Sequence, residues 1–277
     1  MQILDGKAVA SARRAVLKKK IETLGGKPGL AVILVGEDKA SHVYVANKIK
    51  ACEELGIASF EVKLPADTKE GDLKAHIDRL NKDPKVHGIL VQLPLPKHLD
   101  SKKALGFVDP KKDADCLTME NLGRLWAGDP RTQPCTPSGV MAILSHYKIS
   151  VEGTRSVVIG RSNIVGKPMA HLLSSANSTV TICHSKTKNM REILKASDIV
   201  VVAAGQPEFL GAEDFGPNGV VIDVGIHRKE NGKLCGDVRF AELKVKAATP
   251  VPGGVGPMTI TMLMENTIKL YEDSLKS

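Results

Sequence analysis

The chain has 277 residues, 42% of them hydrophobic and 25% charged, the balance of a globular protein with one large or two modest domains. Aromatic residues make up 3%, so aliphatic side chains must fill the core, and recognition of single-stranded nucleic acid by stacked aromatic platforms is disfavoured. The formal net charge of +8 favours anionic partners, but the lysines are scattered, and phosphates or carboxylates on small molecules satisfy that charge as well as a nucleic acid would. Cysteines stand at Cys52, Cys116, Cys135, Cys183 and Cys235. An odd number without a C-x-x-C pair suggests neither a disulfide framework nor a metal site, and fits a reducing compartment. Residues Met1–Lys7 lack the apolar core of a signal peptide, and no apolar run is long enough for a bilayer, so a cytoplasmic protein with no membrane partner is expected.

Helical and strand patterns alternate along the chain, which predicts an α/β fold with parallel sheets. Residues 5–24 read as an amphipathic helix ending at Gly25-Gly26, 30–35 as a buried strand, 39–55 as a helix stopped by Gly56. A strand over 59–64, a helix over 69–82 and a strand over 88–93 follow, the last halted by Pro94-Leu95-Pro96. Residues 97–136 read as less regular, and Pro137 opens a helix to Tyr147. Strands are then expected at 155–160, 179–183, 199–203, 220–224 and 247–249, with a helix at 169–174 and a last helix from Pro257. The reading divides the chain into residues 1–138 with the returning helix 258–277, and a second domain over 139–257.

In the second half, Gly160-Arg161-Ser162-Asn163-Ile164-Val165-Gly166 follows a strand and precedes a helix. It approximates G-x-G-x-x-G, with Ser162 in place of the second glycine and the third displaced to Gly166. Such a turn either is merely tight or presents helix amides to a pyrophosphate, and its context favours a dinucleotide. The next strand ends in Cys183-His184-Ser185-Lys186, without the acidic residue that an NAD site uses to hold the ribose 2′-hydroxyl. Ser185, with Arg161, suits a 2′-phosphate instead, so NADP is the expected cofactor. Lys186 reads equally as a solvated charge, and His184 as an ordinary strand-end histidine.

In the first half, Tyr44 and Lys48 are four residues apart on a helix and share a face. The lysine has a pKa that falls readily on burial. Gln92 ends a strand, where open α/β sheets bind ligands. Asp115, in Lys111-Lys112-Asp113-Ala114-Asp115, adds a carboxylate that chemistry alone does not single out from a solvated acid. Near the end, Pro250-Val251-Pro252-Gly253-Gly254-Val255-Gly256-Pro257 combines locked and permissive backbone angles before a helix. It reads either as a stiff connector or as a rigid loop for an anionic or planar ligand.

Taken together, these residues resemble the bifunctional methylenetetrahydrofolate dehydrogenase/methenyltetrahydrofolate cyclohydrolase family over nearly the whole chain. The carriers are Ser41-x-x-Tyr44-x-x-x-Lys48, Val91-Gln92-Leu93-Pro94-Leu95-Pro96, Lys112-Asp113-Ala114-Asp115, Pro134-Cys135-Thr136-Pro137-x-Gly139 and Gly160-Arg161-Ser162-x-x-Val165-Gly166-Lys167-Pro168. Cys183-His184-Ser185-Lys186-Thr187, Ile222-Asp223-Val224-Gly225, Gly236-Asp237-Val238 and the Pro/Gly run complete the series, in order. The resemblance implies an N-terminal α/β folate domain and a C-terminal Rossmann-like NADP domain with a parallel sheet. It also implies two activities: hydride transfer from 5,10-methylenetetrahydrofolate to NADP, and hydrolysis of the 5,10-methenyl product to 10-formyltetrahydrofolate.

By the same resemblance, Lys48 serves proton transfer in hydrolysis, Tyr44 lies over the folate, Gln92 hydrogen-bonds near Lys48 and Asp115 holds the pterin. The cofactor is assigned to Gly160, Arg161, Ser162, Val165, Gly166, His184, Ser185, Gly225 and Ile226. Pro252, Gly253 and Gly254 are placed against substrate, and no metal is called for. A homodimer and a place in one-carbon metabolism feeding purine, histidine and methionine biosynthesis are further implications. One position departs from the pattern: Cys116 stands where the family usually has glycine, which suggests a backbone angle that cysteine adopts poorly. Two rivals remain. One is a dehydrogenase of the shikimate or amino-acid type, in which Tyr44, Lys48 and Gln92 serve other chemistry. The other is a nucleic-acid-binding module, which predicts clustered basic residues with interleaved aromatics that the sequence lacks.

Overall fold

The computed structural model describes residues 1–276. In chain order the elements are β1 (Gln2–Ile3), α1 (Gly6–Glu22), β2 (Gly29–Val35), α2 (Lys39–Leu55), β3 (Ala58–Leu64), α3 (Glu70–Lys82), β4 (Gly88–Val91), α4 (Ser101–Gly106), α5 (Met119–Trp126) and α6 (Cys135–His146). There follow β5 (Arg155–Ile159), α7 (Gly166–Ser175), β6 (Thr179–Cys183), α8 (Met190–Lys195), β7 (Ile199–Val202), β8 (Val220–Asp223), β9 (His227–Arg228), β10 (Leu234–Cys235), β11 (Ala247–Ala248) and α9 (Val255–Ser274). No helix among the described residues is long and apolar enough to cross a membrane.

The chain forms two compact units. One comprises Arg13–Cys135 and the chain from Ile260 on; the other comprises Met1–Ala12 and Thr136–Thr259. The first unit holds a parallel three-stranded sheet in the order β3-β2-β4. Its central strand, Gly29-Leu30-Ala31-Val32-Ile33-Leu34-Val35, is buried at every position, as expected of a strand covered on both faces. Ile33, Leu73, Ile77 and Ile89 are fully or almost fully buried in its core. Helix α2 is delimited chemically: the Asp38 carboxylate accepts from the Ser41 amide at 2.7 Å, and Gly56 closes the helix at φ 79°, a left-handed angle that glycine adopts without penalty.

The second unit holds a six-stranded parallel sheet in the order β1-β11-β8-β7-β5-β6. Val157, Val200, Val202 and Val221 line one side of its core. Parallel neighbours require crossover segments, which places the strand C-termini and the loops after them at one edge of the sheet.

The structure extends and amends the sequence expectations locally. The stretch over 97–136 contains two short helices, α4 and α5, each started by a side-chain cap: Asp100 accepts from Lys102 and Lys103, and Thr118 from Asn121. Helix α8, the two-residue β1 and the β9–β10 hairpin lie where the sequence reading placed nothing. The first twelve residues, expected with the first domain, lie in the unit of the six-stranded sheet. The reason is long-range pairing: β1 runs parallel to β11, with Gln2 opposite Ala247 and Ile3 opposite Ala248, and the Lys7 amide donates to the Gly253 carbonyl at 2.9 Å.

Candidate active site

In the first unit, Lys48 lies one turn after Tyr44 on α2, and both are half-buried. The Lys48 ammonium donates to Gln92 Oε1 at 2.7 Å, while Gln92 Nε2 donates to the Leu93 carbonyl at 2.6 Å. The second bond orients the amide, so that an oxygen rather than a nitrogen meets the lysine. Gln92 itself is held at the end of β4 by its backbone amide, which donates to the Ile33 carbonyl at 2.9 Å.

Burial pushes Lys48 below the ordinary lysine range, opposed by the nearby Asp115 carboxylate and Cys135. Burial likewise raises Asp115 above the ordinary carboxylate range, opposed by Lys48 and by a hydrogen bond from Cys135. The Cys135 thiol is raised well above its usual range by burial and by Asp115, so it remains a neutral donor. Tyr44, Lys48, Gln92 and Asp115 thus belong to one unit, in which Lys48 is bonded to Gln92 and lies within the electrostatic influence of Asp115. A lysine moved toward its neutral form beside a carbonyl-type acceptor can take a proton from water.

Asp115 sits on a loop with its own scaffold. Asp113, buried, accepts from the Leu117 and Thr118 amides at 3.1 and 2.8 Å and from Asn121 Nδ2 at 3.0 Å. Cys116 takes φ 57° and is fully buried. The departure from glycine is therefore accommodated in the left-handed region, at a cost of about 1–2 kcal/mol for a residue with a Cβ, offset by burying the side chain. Burial pushes the Cys116 thiol up to about 12.

In the second unit, the turn after β5 carries Gly160, Arg161, Ser162, Val165 and Gly166. A Cβ on Gly160, at φ 123°, would lie 2.3 Å from the Ala203 carbonyl oxygen, and one on Gly166 would lie 2.3 Å from the Gly160 oxygen. Both positions exclude any larger residue. The expectation that the first amides of α7 face a ligand is modified here. The Val165 and Gly166 amides donate to Ser162 Oγ at 3.2 and 3.3 Å, which leaves the Ser162 hydroxyl proton free to point elsewhere. Arg161, Ser162 and Ser185 are all exposed. His184 belongs to the turn after β6: its amide donates to Thr187 Oγ1 at 2.9 Å and its Nδ1 accepts from the Lys186 amide at 3.2 Å.

Gly225 and the exposed Ile226 follow β8. Gly225 rests on two buried carboxylates to which the sequence reading gave no role. Asp237 accepts from the amides of Ala204, Gly205 and Gln206 at 2.7, 3.0 and 2.9 Å, and from His227 Nε2 at 2.7 Å. Asp223 accepts from the Gly225, Asp237 and Val238 amides at 2.9, 3.1 and 2.9 Å, and burial pushes its carboxyl up to about 6. A Cβ on Gly225 would lie 2.4 Å from the Asp237 side chain, which is why glycine stands there. The available signal in sequence is an aspartate close to a glycine in each case, Asp223 two residues before Gly225 and Asp237 directly after Gly236. Pro252, Gly253 and Gly254 belong to the same unit. Gly253 takes φ 103°, and a Cβ on Gly6 would lie 1.9 Å from the Gly254 oxygen, so packing against the start of α1 explains part of this loop's composition.

Comparison with known proteins decides the family. Residues 4–115 match the model of the tetrahydrofolate dehydrogenase/cyclohydrolase catalytic domain, and residues 134–275 match that of its NAD(P)-binding domain. The chain belongs to the tetrahydrofolate dehydrogenase/cyclohydrolase family. It is 58% identical to the bifunctional protein FolD of Bdellovibrio bacteriovorus over 277 residues, 98% of this chain and 96% of that protein. The crystal structure of the FolD dehydrogenase/cyclohydrolase from Campylobacter jejuni matches with a TM-score of 0.96 at 46% identity, covering 99% of each chain. The Trypanosoma brucei FolD, solved with NADP cofactor and an inhibitor, matches with a TM-score of 0.94 at 41% identity, covering 99% of this chain and 98% of that one. Within the tetrahydrofolate dehydrogenase/cyclohydrolase family, the Lys48 cluster falls in the region of the catalytic-domain model. The strand-end turns fall in that of the NAD(P)-binding domain.

Proposed function

We infer that this chain is an NADP-dependent methylenetetrahydrofolate dehydrogenase and a methenyltetrahydrofolate cyclohydrolase. The observation that carries the reading is the desolvated Lys48, held at 2.7 Å by an oriented Gln92 and interacting with Asp115, in a chain of this family. NADP, when bound, accepts the hydride from the methylene carbon. The 5,10-methenyl cation that remains is stabilised by the substrate's own nitrogens, so the protein needs to position rather than to supply an acid. Exposed Arg161, Ser162 and Ser185 match a phosphate-bearing cofactor, and the glycine-only turns at Gly160, Gly166 and Gly225 keep the backbone close and low.

Hydrolysis is where this chain's side chains act. Water adds to the methenyl carbon, and Lys48, moved toward its neutral form, takes the proton that water releases. The carbon–N5 bond then breaks as the formyl C=O forms, N5 gains a proton, and one proton is released overall. Gln92 holds Lys48 in place, Asp115 binds the pterin, Tyr44 packs over it, and Pro252, Gly253 and Gly254 contribute to the substrate wall. His184, Val165 and Ile226 complete the cofactor contacts. We further infer a cytoplasmic homodimer acting in the one-carbon supply to purine, histidine and methionine biosynthesis, without nucleic-acid or membrane partners. The scattered lysines, the sparse aromatics and the five unpaired cysteines support that setting.

The test uses purified protein with 5,10-methylenetetrahydrofolate and NADP, following reduced cofactor and the methenyl chromophore together. NADPH running ahead of the methenyl signal is expected, and equal accumulation would remove the cyclohydrolase assignment. Lys48→Met is expected to lower hydrolysis by about 10²–10⁴-fold, the range of general acid–base catalysis, while hydride transfer remains measurable.

A further inference from the structure

Helix α9 carries an amide where its pattern calls for an apolar side chain. Met262, Asn266 and Leu270 follow one another at intervals of four and are all buried, so Asn266 occupies the middle of a stripe that packs inward. A buried amide is costly unless its protons find partners. Asn266 Nδ2 donates to the Ala114 carbonyl at 2.9 Å and to the Gln133 carbonyl at 2.8 Å, with Cys135 Sγ at 3.5 Å. Two protons serve three acceptors: the carbonyls take the short bonds, and the sulfur shares one of them.

The partners are informative. Ala114 directly precedes Asp115, and Gln133 lies two residues before Cys135, the thiol that hydrogen-bonds Asp115. Ala114 O also accepts from Cys135 Sγ at 3.5 Å. The Ala114 oxygen and the Asp115 nitrogen share one rigid peptide plane, so fixing the oxygen fixes the direction in which Asp115 leaves the backbone. The two loops are far from α9 in sequence, by 152 and 133 residues at the bonded positions, and Asn266 joins both to it.

We propose that Asn266 is a positioning residue for the folate site, its side-chain amide stapling together the loops that carry Asp115 and Cys135. This rests on the reading of Asp115 as the residue that holds the pterin. Asn266 does not touch the reacting atoms; it sets where Asp115 stands, and misplacement of such a group is felt as lost affinity and rate.

The experiment measures KM for 5,10-methylenetetrahydrofolate and for NADP, with melting temperature, in the full chain and in Asn266→Ala, Asn266→Ser, Asp115→Ala and Leu270→Ala. Leu270→Ala removes a buried side chain from the same helix and controls for lost stability. Expected for Asn266→Ala is at least a fivefold rise in folate KM with NADP KM unchanged within twofold. Asn266→Ser, which keeps one donor, should be intermediate and supplies the comparison if the alanine variant does not fold. Leu270→Ala should melt lower with folate KM unmoved. Unchanged folate KM in a folded Asn266 variant, or an equal rise in Leu270→Ala, overturns the proposal while leaving the site reading intact if Asp115→Ala is impaired. If Asp115→Ala binds folate normally, the pterin assignment fails and the proposal fails with it.

Discussion

Lys48 and Asp115 move in opposite directions for one reason: burial disfavours both charged forms, and each partly restrains the other. Gln92 is a neutral partner, and its neutrality matters. A carboxylate in its place would hold Lys48 protonated, because an opposite charge favours the ionised amine. Gln92→Glu is therefore expected to move the acid limb of the cyclohydrolase pH profile to higher pH, with hydride transfer far less affected; an unmoved limb would show that Lys48 is not the titrating base. At the cofactor end, Ser185 is exposed and no carboxylate lies in its turn. Ser185→Asp should weaken NADP by about tenfold, about 1.4 kcal/mol, and spare NAD, as measured by the ratio of their KM values. Lys48, Gln92 and Ser185 could be named as candidates from their neighbours in sequence, and Asp115 only through the family resemblance. Their distances were not legible, because α2, the end of β4 and the loop at Asp115 meet only through folding.

At the scale of elements, glycines do different work at different ends. Gly56 ends α2 with open space about its Cα, whereas a Cβ at Gly166 would run into the Gly160 carbonyl. Gly166→Ala overpacks a turn against backbone, which costs about 1–3 kcal/mol. It is expected to raise KM for NADP as well as lower the melting temperature. Gly56→Ala costs about 1–2 kcal/mol through its left-handed angle and should lower the melting temperature without touching NADP. Equal effects of the two on NADP would deny the Gly160–Gly166 turn its cofactor role. Long periodic elements such as α2 and β2 were readable from capping residues and apolar runs. Helices α4, α5 and α8 were not, since six to eight residues give too few turns for a periodicity. The roles of Asp223 and Asp237 were hidden for another reason: apart from His227, their partners are backbone amides, which no side-chain pattern advertises.

At the scale of the molecule, two helices serve both compact units. Helix α1 begins in the unit of the six-stranded sheet and continues into the other, and α9 does the same. Within the first unit, the later part of α9 packs against the start of β4 and against α2. Thr267 faces Gly88, Met264 Sδ lies 3.5 Å from Cys52 Sγ, and the Tyr271 ring meets His87 edge-on at 4.7 Å. A chain ending at Thr259 loses Leu263, Met264, Ile268 and Leu270, all buried. It is expected to lose cooperative unfolding of that unit and both folate activities, seen by denaturant titration and by assay. Full folate turnover by the shortened chain would show that α9 is dispensable there.

The order of motifs, the alternation of helix and strand and the absence of an acidic residue after β6 were properties of the sequence alone. They determined the family and the α/β class and made NADP the expected cofactor, because each depends on local residue type and spacing. Tertiary structure decided the rest. It assigned the first twelve residues by pairing β1 with β11, seated Cys116 at a left-handed angle, turned Ser162 into the acceptor for the first amides of α7, and brought Asn266 to Ala114 and Gln133. Each of these depends on atoms far apart in the chain that meet only after the backbone hydrogen bonds and the core have been satisfied.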